Sequence, residues 1–197
     1  LARKHVIKLL EIDMDRVGMI NNNQPTIDDS EISYYMKNHQ LLLSATEDKE
    51  FAYSGSNFIL ICVPTNFDEQ NYSFDTSIVD EVVNDALKYN PEATIIIKST
   101  IPVGYSEKLR KKYKTDRIIF SPEFLREGTA LHDNLNPSRI IIGNETVSSK
   151  DFAEIISGST KNDPEIIFMP SSDAEAVKLF SNTFLAMRVA YFTELDT

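Results

Sequence analysis

One cysteine in 197 residues, Cys62, excludes an internal disulfide and suits a reducing compartment, so the cytoplasm is the expected location. Ile59, Leu60, Ile61 and Val63 surround it, so the thiol reads as a small hydrophobe on a buried strand and not as a nucleophile. Histidine is also scarce: His5, His39 and His132 lie without ligand spacing and without a Cys or carboxylate cluster, and no metal is expected. Long apolar runs are missing. The longest, Phe58 to Val63, falls far short of the roughly 20 residues of a membrane span. Leu1 to Leu10 lacks the apolar stretch and small-residue cleavage site of a signal peptide, so neither membrane nor secretion is expected. The six glycines, at 18, 55, 104, 128, 143 and 158, form no G-x-G-x-x-G, so no phosphate-cradling turn can be read from spacing. Positive charge is outnumbered, with 20 Lys and Arg against 30 Asp and Glu. The net charge of -10 argues against nucleic acid or an anionic membrane as partner, and an anionic small ligand needs a local positive site. The one basic cluster, Lys108 to Arg117, reads as the solvated face of a helix and is given no function.

What is present is a 42% apolar chain, enough for one ordinary core and the start of a second unit. Short Ile- and Val-rich runs recur at Val6 to Ile12, Phe58 to Val63, Thr94 to Lys98, Arg117 to Phe120, Arg139 to Ile142 and Ile166 to Met169. Each is apolar on both faces, which predicts buried parallel strands. Helical patterns lie between them. In Ser77 to Tyr89 the residues Ile78, Val82, Ala86 and Tyr89 share a stripe, and Pro91 follows the stop. The alternation predicts an α/β fold, a Rossmann-like doubly wound parallel sheet with ligands beyond the carboxyl ends of its strands, over residues 1–170. Residues 171–197 contain no Pro or Gly and predict the start of a long helix, with Ser171 or Ser172 as N-cap and an apolar stripe through Ala174, Val177, Phe184 and Tyr191. Both ends read as cut, because a dinucleotide domain opens with a strand, a glycine-rich turn and a helix, whereas Leu1 leads almost at once into a strand.

Several residues at strand ends suit dinucleotide chemistry. Glu11 closes the first run, where an acidic residue accepts hydrogen bonds from ribose hydroxyls or is simply a solvated carboxylate. Arg16 either lies beside that ribose or faces water. Thr65 and Thr100 each put a hydroxyl where the chain leaves the sheet, able to donate to a dinucleotide or to satisfy a local turn. In Ser121 to Gly128, Glu123 and Glu127 stand four apart; were the loop helical, they would share a face. One could then order a water or act as general base while the other orients substrate hydroxyls, the alternative being an exposed polar turn. On the last helix Lys178 and Asn182 are also four apart, a cation and an amide suited to a developing oxyanion. The competing reading pairs Lys178 with Glu175 on a wet face.

Pro64-Thr65-Asn66, Lys98 through Gly104, Ser121 to Gly128 and Ala174 through Thr183 together resemble the UDP-glucose 6-dehydrogenase type within the UDP-glucose/GDP-mannose dehydrogenase family. The likeness spans almost the whole chain, and bacterial members look most similar. Such enzymes oxidise the sugar C6 alcohol to a carboxylate in two hydride transfers to NAD, through a thiohemiacetal and a thioester on a cysteine. The resemblance implies a cofactor site of Glu11, Arg16, Thr65, Thr100 and Glu127. It implies that Glu123, Phe124, Leu125, Arg126 and Glu127 line the UDP-glucose substrate, with Lys178 and Asn182 flanking the reacting carbon. Thr100, Glu123 and Glu127 would arrange water and proton transfer, and Lys178 would stabilise the oxyanion. It also implies a homodimer through the long central helix.

The family's glycine-rich turn and its G-G-x-C-x-P-K-D nucleophile segment are not in these residues, so this chain alone is expected not to turn over substrate. Glu11 stands where the family more often has Asp, and Thr193 where the text usually reads N-E-L. Two rival readings remain: a GDP-mannose or UDP-N-acetyl amino sugar dehydrogenase with the same cofactor, or a non-catalytic Rossmann-like interaction module. The Glu123 to Gly128 text favours UDP-glucose.

Overall fold

Four consecutive β-branched residues, Thr94-Ile95-Ile96-Ile97, three of them apolar, offer little to water, and they form a strand buried on both sides. The structure is a computed structural model that describes residues 1–68, 73–126 and 128–196. In chain order its elements are β1 (Ile7–Leu10), α1 (Met14–Asn21), α2 (Ser30–Asn38), β2 (Leu43–Thr46), α3 (Lys49–Tyr53), β3 (Phe58–Ile61), β4 (Phe67–Asp68) and β5 (Ser73–Phe74). There follow α4 (Ser77–Tyr89), β6 (Thr94–Ile97), α5 (Tyr105–Tyr113), β7 (Ile118–Phe120), α6 (Ala130–Leu135), β8 (Arg139–Gly143), α7 (Val147–Ser157), β9 (Glu165–Met169) and α8 (Ser171–Leu195).

Among the described residues the main sheet is five-stranded in the order β3-β6-β7-β8-β9, and β1 pairs with β2 in a separate parallel ribbon. Strand alternation sorts the core onto two faces. Ile95 and Ile97 join Val79, Val83 and Ala86 of α4, Leu109 of α5 and Ala174 of α8. Ile96 instead meets Ile119, Ile142 and Phe152 of α7. Helices thus cover both faces, as a doubly wound sheet requires. Each fully buried Ile stabilises the fold by roughly 1.5–3 kcal/mol relative to an exposed one.

Four expectations need correction. The strands are parallel from β3 to β7, but β8 runs antiparallel to β7, with Phe120 opposite Gly143, and β9 follows β8 in parallel. An antiparallel neighbour needs no crossover, so the chain returns through the loop and the short α6. On α4 the buried stripe is Val79, Val83 and Ala86, whereas Ile78 is 43% exposed. α8 is preceded by Pro170 at its N-cap, and neither Ser171 nor Ser172 caps it; Ser171 is its first residue, its Oγ accepting from Arg110. Of the stripe on α8 only the start is covered, since Ala174 is buried and Val177 packs half-buried on the core while Phe184 and Tyr191 are exposed. β2, Leu43-Ser44-Ala45-Thr46, is half polar and went unread because its pattern is too short and mixed to declare a strand.

The ribbon and the main sheet leave one edge of β1 and one of β3 unpaired among the described residues. In the dinucleotide fold the first strand lies between the second and the fourth. β1 and β3 correspond to those two, and no described strand lies between them. They stay neighbours through α3: Lys8 Nζ donates to the Phe51 and Ser54 carbonyls at 3.0 and 2.9 Å, and Leu10 packs on the core of β3.

Candidate active site at the carboxyl ends of the strands

The ends of β3, β6 and β7 are stitched together by serines whose hydroxyls have no water to turn to. Ser99, 7% exposed, donates its Oγ hydrogen to the Val63 carbonyl at 2.6 Å, while the Lys98 amide bonds Ile61 at 2.9 Å. Ser121 donates its Oγ hydrogen to Ile141 at 3.0 Å, and its amide bonds Ile97 at 3.0 Å. Thr65 and Thr100 therefore emerge from adjacent, mutually bonded strand tips, and the Ser121 loop emerges from the next.

Onto this edge α8 lowers Lys178. Its Nζ donates to the Glu123 carbonyl at 2.6 Å and lies 5.2 Å from the centre of the Phe124 ring. Lys98 approaches from below: its Nζ donates to the Ser121 carbonyl at 3.0 Å and stands 3.9 Å from Glu123 Oε2. Burial pulls the Lys98 ammonium below its usual range, against the Glu123 carboxylate, which favours the charge. Burial likewise lowers Lys178, opposed by Glu123 and assisted by repulsion from Lys98. The cluster thus holds two cations around one carboxylate at the mouth of the sheet.

Cys62, expected inside a strand, lies one residue beyond β3 and is exposed. Its thiol still faces protein more than water. That desolvation, with the Glu123 carboxylate, pushes it up to about 11 against the opposing pull of Lys98, so it is a poor nucleophile at neutral pH.

Glu175 settles the competing reading of Lys178. The two do not pair, because Glu175 points inward, 1% exposed, at the start of α5. Its Oε2 accepts from the Gly104 amide at 2.5 Å and its Oε1 from the Ser106 amide at 2.8 Å. Gly104, at φ 86°, gives α5 no side-chain cap, and a carboxylate from a helix far along the chain takes that place. Arg110, one of the expected solvated cations, adds a second tie from α5 to Ser171 Oγ at 3.1 Å. The Thr100 loop and the Lys178 helix are thereby docked as one piece.

The other expected residues fall elsewhere. Glu11 and Arg16 do meet, 3.4 Å apart, and Glu11 Oε1 also accepts from the Ile12 amide at 2.9 Å. They sit at the end of β1, outside the lysine cluster. Phe124 and Leu125 line the loop, half-buried. Residues 121–126 have no helical structure, so Glu123 stands on an irregular loop; the expectation for Glu127 lies outside the described residues. Arg126 turns outward to a fork with Asp133, at 2.7 Å. Asn182 is exposed on α8, one turn beyond Lys178. Lys98, Ser99 and the inward turn of Glu175 were missed, although all three stand in the segments that carry the resemblance; a buried polar role has no signature in spacing.

A mostly parallel α/β sheet wound on both faces, with hydroxyls, a carboxylate and a partly buried lysine gathered at its strand ends, has the architecture of a Rossmann-type nucleotide-binding domain. The chain belongs to the UDP-glucose/GDP-mannose dehydrogenase family, whose NAD-binding domain matches residues 1–158. It is 43% identical over 204 residues to the UDP-glucose 6-dehydrogenase of Streptococcus pneumoniae, covering all of this chain and 52% of that protein. To the enzyme of the same name from Campylobacter jejuni it is 42% identical over 192 residues, 97% of this chain and 49% of the other. Among solved structures, the GDP-mannose dehydrogenase of Pseudomonas aeruginosa superposes with a TM-score of 0.83 at 24% identity, over 98% of this chain and 47% of that one. That likeness speaks for the fold. The chain spans about half the length of the curated relatives it matches.

Proposed function

We propose that these residues form the cofactor- and substrate-binding half of an NAD-dependent UDP-glucose 6-dehydrogenase, which oxidises UDP-glucose to UDP-glucuronate. The observation that carries the reading is the meeting of Lys178 with the Glu123 loop beside the tip of β6 that bears Thr100. The two relatives above are named UDP-glucose 6-dehydrogenases, and the family match is to an NAD-binding domain.

The residues present suit the cofactor. Glu11 keeps its carboxylate at the end of β1, where a ribose diol would hydrogen-bond it, with Arg16 alongside and 44% exposed. Thr65 and Thr100 would line the strand edge. NAD when bound accepts hydride; the rest falls to the protein. Lys178, tied to a carbonyl and partly desolvated, is a donor suited to an oxyanion growing at the sugar carbon, and Asn182 adds an amide one turn on. Glu123, with Glu127, would hold water and take the proton that the alcohol gives up, and Thr100 would orient that water. Phe124, Leu125 and Arg126 would flank the sugar. Residues 171–197 would open a central helical unit that pairs with a second copy, and the enzyme would work in the cytoplasm.

The test uses a chain of full family length that contains these residues. NADH formation is followed with UDP-glucose, GDP-mannose and UDP-N-acetylmannosamine. UDP-glucose should be preferred, and Lys178→Ala should lower kcat by about 100- to 1,000-fold, the scale of losing one preorganised oxyanion donor. Preference for either other sugar defeats the substrate assignment, and an unimpaired Lys178→Ala defeats the mechanism.

A further inference from the structure

We infer that Lys98 is a positioning residue of this site: anchored on the Ser121 carbonyl, its ammonium holds the Glu123 carboxylate in place. Its consequence for turnover rests on the function proposed above. The segment from Ser121 to Arg126 has neither helix nor strand to set its side chains. Its root is fixed through Ser121, and Lys178 grips the Glu123 backbone, so neither contact restrains the carboxylate. Lys98 does. Its side chain is 13% exposed against 36% for Glu123, so the lysine is the stiffer partner and the glutamate is the one held. A pair so placed is screened far less than one on the surface.

The groups facing Glu123 are Lys98 at the end of β6, Lys178 on α8 and the Cys62 thiol beyond β3. Arg139 of β8 is turned onto the Phe124 ring at 5.4 Å. Cys62, exposed and the sole cysteine, is therefore a built-in reporter of where the Glu123 charge lies. Only the thiolate alkylates, so a nearby carboxylate slows the reaction and a nearby cation speeds it.

The experiment is a double-mutant cycle on the 197-residue chain, read as the rate of Cys62 alkylation by iodoacetamide. At about pH 8.5, Glu123→Gln should raise the rate about threefold or more while Lys98 is present, since a tenfold change corresponds to one unit of thiol pKa. In the Lys98→Met background the carboxylate has swung away, so Glu123→Gln should leave the rate unchanged. Lys98→Arg should restore the effect of Glu123→Gln. Lys98→Gln replaces the methionine variant if circular dichroism shows the latter unfolded. Equal acceleration in both backgrounds, or none in either, overturns the inference. In a chain of full family length, Lys98→Met should lower kcat about tenfold or more while the KM for NAD stays within about twofold, the pattern of a displaced catalytic group. An unchanged kcat overturns the role in turnover. A wild type inactive on every nucleotide sugar defeats the functional reading instead, and the alkylation cycle still decides on Lys98.

Discussion

Glu175 shows how one side chain can change meaning between text and fold. Three residues before Lys178 on a helix, it has the spacing of an exposed ion pair, and nothing local says otherwise. What turns it inward is the start of α5, whose orphan amides need an acceptor and whose glycine cap has no side chain to provide one. Replacing it by Gln keeps the shape but sets an NH2 group against one of those two amides. A buried donor left unpaired costs about 1–3 kcal/mol, more with a charge lost, so Glu175→Gln should destabilise the chain by about 2–3 kcal/mol in urea unfolding. Amide exchange should quicken at Ser106 first. A variant as stable as the parent would mean that the carboxylate is not the cap of α5. Lys98 and Ser99 were opaque for the same reason: burial and a distant carbonyl decide what they bond, and neither is visible in a strand-end tripeptide. The places of Glu11, Thr65 and Thr100 at strand ends and of Lys178 on the last helix were legible because turn residues and helix spacing set them almost without tertiary help.

At the scale of elements, α8 is the anomaly. Its first turn is held by β8, β7 and α5, Gly143 lying so close that an added Cβ would stand 3.0 Å from the Ser171 Cα. From Phe180 onward it carries Phe180, Phe184, Leu185, Met187, Val189, Tyr191, Phe192 and Leu195 in the open, each more than half exposed. Apolar residues run around the helix and not along one stripe, the pattern of an element covered on more than one side. Pairing with a second copy is the proposed cover. Phe184→Asp with Tyr191→Asp should then shift the chain toward monomer in sedimentation velocity while its far-UV circular dichroism at low temperature is unchanged, since neither ring packs on the domain. Identical sedimentation of parent and variant, both monomeric, would remove the self-pairing proposal for this segment. The helix was legible over its length; its burial was not, because periodicity reports which residues want cover and not which neighbour supplies it.

For the whole molecule, alkaline pH tests the electrostatics of the site against global stability. The Cys62 thiol titrates higher in the fold than in the unfolded chain, at about 11 against about 8.5, so its contribution is complete below about pH 8.5 and is lost as pH rises through about 11. Lys98 and Lys178 are shifted down, so their burial opposes folding at neutral pH and is relieved as pH climbs toward their unfolded value. Cys62→Ala should therefore lose less stability than the parent between about pH 9 and 11, measured by thermal melting at each pH. Melting curves that fall in parallel would refute the raised thiol. The sequence alone determined the alternation of elements, the doubly wound class and the candidate groups at the strand tips, because hydrophobic period and turn residues act over a few positions along the chain. Tertiary structure alone decided the reversal at β8, the parting of β1–β2 from the main sheet, and the convergence of Lys98, Glu123 and Lys178. Those depend on which edges meet and which polar atoms lose their water, and such contacts join residues far apart in the chain, as Lys178 and Glu123 are at 55 positions.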